Sequence, residues 1–330
     1  MTTLRDLKNI IRERRKETGE SYTAARAQVM RDRAEHLGLS TGTPVVEPQP
    51  RVDAAVLKVN QQSARVRILG TDGEVTFRSG DLYDVVPGHL VTLAIARRWT
   101  WRGDAYASGK VENARIDVAK LGLEPLPLEG GELQDVASYS EPFLKPDPYA
   151  PLWRELTAKP RPSYEFDGIA WGALPGLGSE ENPTCDAAEL VEAGDIQGAR
   201  EILMETLGAD LRCIDAHVHL GNMEFERWPE GASVHYQVGI AIGELSLPAG
   251  FDGLLIWGSL YNRPFLRCLH GYGLCLWRLG KPAEAQQVFE RILSLNPSDN
   301  QGVRFCWDDI RHGRSWEEMN QLEDEGRSRR

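Results

Sequence analysis

Residues 266–297 read LRCLHGYGLCLWRLGKPAEAQQVFERILSLNP, and the fold of the carboxy-terminal half turns on them. The run from Leu266 to Gly273 opens a helix that ends at Leu279-Gly280. A second helix, Ala283 to Leu295, stops at Asn296-Pro297. Gly273 and Ala285 lack bulk, so the two helices approach closely where they cross. Phe289, one turn after Ala285, fills the groove beyond that contact. Pro297 cannot continue a helix and sets the turn into the next element. Asp299 or Asn300 then caps a helix running through Val303, Phe305 and Ile310.

Two weaker copies precede this pair. Leu190 to Leu207 carries Gly194 and then Ala199 and Leu203 at the second-helix positions. Leu211 to Gly243 carries Gly221 in its first helix, then Ala232 and Tyr236 in its second. The second-helix alanines stand at 199, 232 and 285, in steps of 33 and 53. The first step is one repeat; the second is a repeat plus an insertion, placed at about 245–264, that packs back on the array or lines its groove. A last pair, beginning at Asn300, has a polar second helix, as a terminal repeat requires.

A small residue in helix one, an Ala and a bulky residue in helix two, and a closing Pro within about 34 residues make up the tetratricopeptide signature. Gly273, Ala285, Phe289 and Pro297 fill those places, so the chain from about 184 to 326 resembles tetratricopeptide repeat proteins. The resemblance implies a stack of helix pairs whose concave surface binds a peptide or a partner domain, usually without catalysis. Gly194, Ala199, Gly221, Ala232, Gly273, Ala285, Phe289 and Pro297 are its expected packing residues.

The rest of the chain divides by period and composition. Residues 1–38 read as a two-helix module with nine Lys/Arg against six Asp/Glu, a local +3 in a chain of net charge −11. Residues 39–52 form a Pro/Thr/Gly linker. Within 53–116, Val56–Val59, Ala64–Leu69, Val75–Phe77, Leu90–Trp101 and Tyr106–Val111 alternate like half-buried strands between turn signals. Five short strands predict a small closed β-barrel of the OB or SH3-like sort. Residues 117–183 are rich in proline, which forbids long helices and interior strands. They also carry aromatics that a flexible linker lacks, and predict an extended segment lying along the next domain, with a short helix near Leu152–Leu156. The expected fold class is thus multidomain α and β: a helical pair, a barrel and, over 184–330, a helical repeat array.

The acidic balance excludes general polyanion binding by the whole molecule and leaves room for a local basic site. No apolar run approaches the roughly 20 residues that cross a bilayer. Met1 to Asp6 runs straight into charge, so a cytoplasmic location is expected. The five cysteines, Cys185, Cys213, Cys268, Cys275 and Cys306, form no C-x-x-C pair and read as free thiols. No phosphate-binding loop or nucleophile elbow is present, and no pattern calls for a cofactor.

Two motifs point elsewhere. Asp215-x-His217-x-His219 resembles the metal-binding strand of metal-dependent amidohydrolases, where two imidazoles hold a divalent ion that activates water. On a strand, residues two apart point the same way; on a helix they diverge by about 200° and cannot share a metal. The 111 residues after His219 read as helix pairs and supply no barrel, so the helical reading is preferred. Arg97-Arg98-Trp99-Thr100-Trp101-Arg102 places Arg97, Trp99 and Trp101 on one face of a strand. Aromatics beside arginines suit stacked bases, and nucleic acid binding through Arg97, Trp99, Trp101 and Arg102 is the alternative function. The plainer expectation is that these tryptophans fill the barrel core.

Overall fold

Strand alternation between turn signals gives the first half its architecture. In the computed structural model, residues 50–71, 73–136, 150–178 and 181–321 are described, with isolated helical positions between 10 and 29. The amino-terminal helix pair and most of the linker thus lie outside the described residues. Within that unit, Met1–Gln49, Ala25 and Val29 are buried together. Residues Pro50–Arg330 make a second unit, which begins directly with a strand.

Strands β1 (Arg51–Asn60), β2 (Ser63–Ile68), β3 (Glu74–Arg78), β4 (His89–Trp101) and β5 (Asp104–Ile116) close into a barrel of order β1-β2-β3-β5-β4. Neighbours run antiparallel except β3 and β5, whose parallel pairing closes it. Ala54, Val56, Val66, Phe77, Val91, Leu93 and Ile95 fill the interior. Gly109 sits where the β4–β5 register shifts, because a methyl group there would collide with the Ala94 carbonyl. Arg102 and Gly103, at φ +52° and +91°, make a tight turn that fits strand twist.

Two expectations fail here. β1 is not half-buried: Ala54 and Val56 face the barrel interior, while Ala55 and Leu57 are also buried, on the outside. Leu57 joins a cluster of helical residues and Ala55 packs with Leu90 and Leu121. The interior is full without Trp99 or Trp101, which lie on the β4–β5 hairpin beyond the core. The expectation that tryptophans fill the barrel is therefore wrong.

The proline-rich stretch is built into the second half. Strand β6 (Leu128–Gln134) pairs with β7 (Arg161–Phe166), and helix α1 (Ala150–Leu156) lies between them in sequence. Pro162 is tolerated inside β7 because a two-stranded sheet has only edge strands. Trp153 and Phe166 are fully buried in the helical core. A 3₁₀ turn, Gly168–Trp171, leads to the helices.

Those helices are α2 (Pro183–Glu192), α3 (Ile196–Ala209), α4 (Ile214–Phe225), α5 (Pro229–Ser246), α6 (Arg263–Arg278), α7 (Pro282–Leu295) and α8 (Val303–Arg311). Proline opens α2, α5, α6 and α7 in the first turn, where its missing N–H costs nothing. The insertion is narrower than expected, since α5 runs to Ser246 and a 3₁₀ turn starts at Leu260. Its Leu254 bridges β7 in parallel, exchanging hydrogen bonds with Tyr164 N and Pro162 O at 2.9 and 2.8 Å. Leu255 N donates to Leu295 O at 2.9 Å. Arg161 ties these parts together: its guanidinium donates to the carbonyls of Asp252 and Ser294 at 2.6 Å and of Gly253 at 3.1 Å. Ser294 lies in the last turn of α7, where a cation also favours the helix dipole.

Barrel and array meet at a seam of histidines. Gly88 (φ +87°) lets the turn before β4 lie on α5, where a Cβ would stand 2.5 Å from Val238 Cγ1. His89, His217 and His235 are buried, with the last two ring centroids 6.0 Å apart. Burial holds His89 down at about 4 and His217 at about 3, the neighbouring His89 adding to the latter. His235 is lowered by burial, then by His217 and Arg200. All three stay neutral in the fold, whereas an unfolded chain protonates them near pH 6.5. Their contribution is complete above pH 7 and shrinks as pH falls from 6.5 toward 4, by about 1.4 kcal/mol per group per pH unit at most. Urea melts at pH 7.5 and 5.5 are expected to show a loss of several kcal/mol, and His217→Phe reduces that loss.

Candidate partner-binding groove

Helices α2, α4 and α6 are the first helices of successive pairs, and α3, α5 and α7 the second. Close approach depends on glycine. Gly273 of α6 faces the Phe289 ring of α7, leaving no room for a methyl group. Tyr236 of α5 inserts between two first helices: an added Cβ at Gly221 of α4 would stand 2.6 Å from its ring, and one at Gly271 of α6 would overlap it. Ala199, Ala232 and Ala285 are fully buried, and Pro297 is buried at the turn after α7.

Gly194 plays a different part. It lies in the turn between α2 and α3 at φ +84°, and a Cβ there would meet nothing within 4 Å. The small first-helix residue of that pair is Ala187, fully buried in α2. Ala187 precedes Ala199 by 12 positions, as Gly273 precedes Ala285. An alanine in a helix carries no signal of its own, whereas the glycine is conspicuous in the sequence.

On the first-helix side lies a recess of about 390 Å³ between α4 and α6. Asn222 and Phe225 come from α4, Arg267, His270 and Leu274 from α6, and Gln301 stands ahead of α8. Tyr236 forms the floor and donates its hydroxyl to Asn222 Oδ1 at 2.7 Å. Burial lowers His270 to about 4, so its ring is neutral near pH 7. None of the wall residues except Tyr236 carries a spacing signal, because the repeat fixes packing positions and leaves the groove face variable. A larger cleft of about 710 Å³ lies between the barrel and α3–α5. Its walls pair with each other, Arg200 with Glu224 at 2.6 Å and Tyr83 on Trp228 at 4.3 Å between ring centroids, so it belongs to the seam.

The Asp215-x-His217-x-His219 motif lies on α4, a helix, and the metal reading is overturned by that geometry. His217 turns inward to the seam, while His219 turns to Asp215, one helical turn back, at 3.5 Å. Among the described residues, no three His, Cys, Asp or Glu side chains group as metal ligands. Asp215 is only 2% exposed and serves as a polar staple across three first helices. It accepts from the Thr184 hydroxyl of α2 at 3.0 Å and from Arg267 of α6 at 3.3 Å. Arg267 and Arg263 both lie over the ring of Trp257, at 5.6 and 5.4 Å, which brings the insertion to the rim of the groove face.

Of the arginines and tryptophans singled out near the barrel, Arg97, Trp99, Trp101 and Arg102 do come together. Trp99 stacks on Tyr106 at 5.5 Å, Arg97 lies over Trp99 at 5.6 Å and Arg102 over Trp101 at 4.6 Å.

Residues 266–299 match the tetratricopeptide repeat family, a span that takes in most of α6, all of α7 and the turn beyond. No curated protein and no solved structure matches the chain. Among the described residues, no helix is long and apolar enough to cross a membrane.

Asp215→Asn keeps the shape and removes the charge, and is expected to cost about 1–3 kcal/mol in denaturant melts. A chelator is expected to leave the melting temperature of the parent protein unchanged; a drop of several degrees would restore the metal reading.

Proposed function

We infer that this protein is a non-catalytic adaptor or regulatory protein that holds a protein or peptide segment in the α4–α6 groove. The observation that carries the reading is the recess of about 390 Å³, framed by first helices of consecutive pairs and floored by Tyr236. It is large enough for one or two anchoring side chains, and its mixed walls, Phe225 and Leu274 beside Asn222 and Gln301, suit a peptide better than a lipid or a bare anion. The tetratricopeptide match at 266–299 supports the same function class. We read the barrel as OB-type from its order and its parallel β3–β5 closure, and assign it, with the amino-terminal helices, to a second contact surface.

Leu274 is half-buried on the groove wall at the margin of the helical core, so Leu274→Glu places a charge in the recess, and a thermal melt of the variant checks that the fold is kept. Affinity recovery with the full chain, read by mass spectrometry, is expected to yield a stoichiometric protein partner that Leu274→Glu weakens by about tenfold or more, the worth of one buried anchor. Recovery of the same proteins by both forms, or of no partner by either, contradicts the reading.

A further inference from the structure

The basic and aromatic hairpin takes no part in the groove, and strand register shows what it builds. Across β3, β5 and β4, Thr76, Tyr106 and Trp99 are register partners, and two residues along, Arg78, Ser108 and Arg97 are partners. Trp101 faces Asp104 two residues beyond Trp99 in the other direction. Since side chains two apart share a face, one face carries an arginine rung, an aromatic rung and the tip tryptophan in succession, about 7 Å apart. Contacts between side chains agree: Arg78 lies over the Tyr106 ring at 5.6 Å, and Trp101 meets Tyr106 edge-on at 6.4 Å. Trp101 is 55% exposed, and Arg97, Arg98 and Arg102 are all exposed.

Charge pairing separates these arginines from three others of the barrel, while Arg67 is tied to the Leu121 carbonyl at 3.3 Å. Arg51 pairs with Glu112, Arg65 with Glu74 and Arg115 with Asp53. Among the described residues, Arg78, Arg97, Arg98 and Arg102 have no carboxylate partner, in a chain whose net charge is −11. A fold that needed them only for solubility would scatter them. Instead three are laid on aromatic faces, which orders the guanidinium planes while leaving their hydrogen-bond forks unused.

We propose that this face binds single-stranded nucleic acid without sequence preference, Trp99, Trp101 and Tyr106 stacking bases while Arg78, Arg97 and Arg102 contact phosphates. A duplex keeps its bases paired and hides their faces, so it meets only the arginines. An acidic protein or an anionic membrane uses the charges and leaves the exposed tryptophan at the tip without a stacking partner. This site is separate from the α4–α6 groove, and its test does not depend on that reading.

The test is fluorescence anisotropy with 15-nucleotide oligo(dT), oligo(U) and a 15-base-pair duplex, on the full chain at 50 mM KCl. A Kd of about 1–10 µM is expected for a single strand, at least tenfold tighter than for the duplex. The slope of log K against log salt is expected to be about −2, for three phosphate contacts at about −0.7 each. Trp101→Ala weakens the single strand about tenfold, the loss of one stacked base, with an unchanged thermal melt because the side chain packs in no core. The double substitution Arg78→Glu, Arg97→Glu removes binding. Binding of either single strand supports the proposal, and the tighter of the two identifies the source as DNA or RNA. No binding at 50 mM KCl, equal affinity for duplex, an unaltered Kd in Trp101→Ala, or tighter binding to phosphatidylserine vesicles or polyglutamate than to either strand overturns it.

Discussion

The helical half rests on rings pushed into places where neighbouring helices have no side chain. Tyr236 reaches from a second helix into the notch between Gly221 and Gly271, so a single ring joins α4, α5 and α6. Phe289 does the same against Gly273 within the following pair. Helices held this closely lose the freedom to slide, and their outward sides form a continuous wall with a recess in it. The polar staple at Asp215 reinforces the arrangement from the groove side, linking α2, α4 and α6 through Thr184 and Arg267. A motif with the look of a metal site thus has a structural explanation. Its aspartate and second histidine face each other one turn apart, and its first histidine points away from both.

The barrel is fastened to this array rather than strung ahead of it. β1 lends Ala54 and Val56 to its own interior and Leu57 to the helical cluster around Leu203 and Leu207. Gly88 lets the turn before β4 lie on α5, and neutral histidines fill the space between. The proline-rich stretch completes the join by donating Trp153 and Phe166 to the helical core and by clasping the insertion through Arg161. Consequently the two surfaces with unspent chemistry, the α4–α6 groove and the β4–β5 hairpin, belong to one compact unit.

How much of this was legible in the sequence depends on how local the determining physics is. The pair at 266–297 could be read because glycine, alanine and phenylalanine at fixed steps carry their meaning within one segment. The strands could be read from alternation, and the turn at Arg102-Gly103 from its residues. β1 misled because its outer face is also covered, at Ala55 by Leu121 and at Leu57 by helices more than 100 residues away in sequence, which no local pattern reports. Trp99 and Trp101 misled because aromatic residues on a strand look the same whether they face a core or stand on a hairpin beyond it. Ala187 was passed over for Gly194 because alanine suits any helix, whereas glycine stands out even when its role is a turn. The groove walls were invisible for a related reason, since the repeat constrains what packs and not what is presented.

Glycine stands at 271 to admit the Tyr236 ring. In a helix with free space beside it, Gly→Ala stabilises by about 0.5–1 kcal/mol. A double-mutant cycle in urea, Gly271→Ala in the parent and in a Tyr236→Ala background, reads the difference directly. Gly271→Ala is expected to destabilise the parent by about 1–3 kcal/mol through overpacking and to become neutral or stabilising once the ring is gone. A Gly271→Ala substitution that is neutral or stabilising in the parent would contradict it.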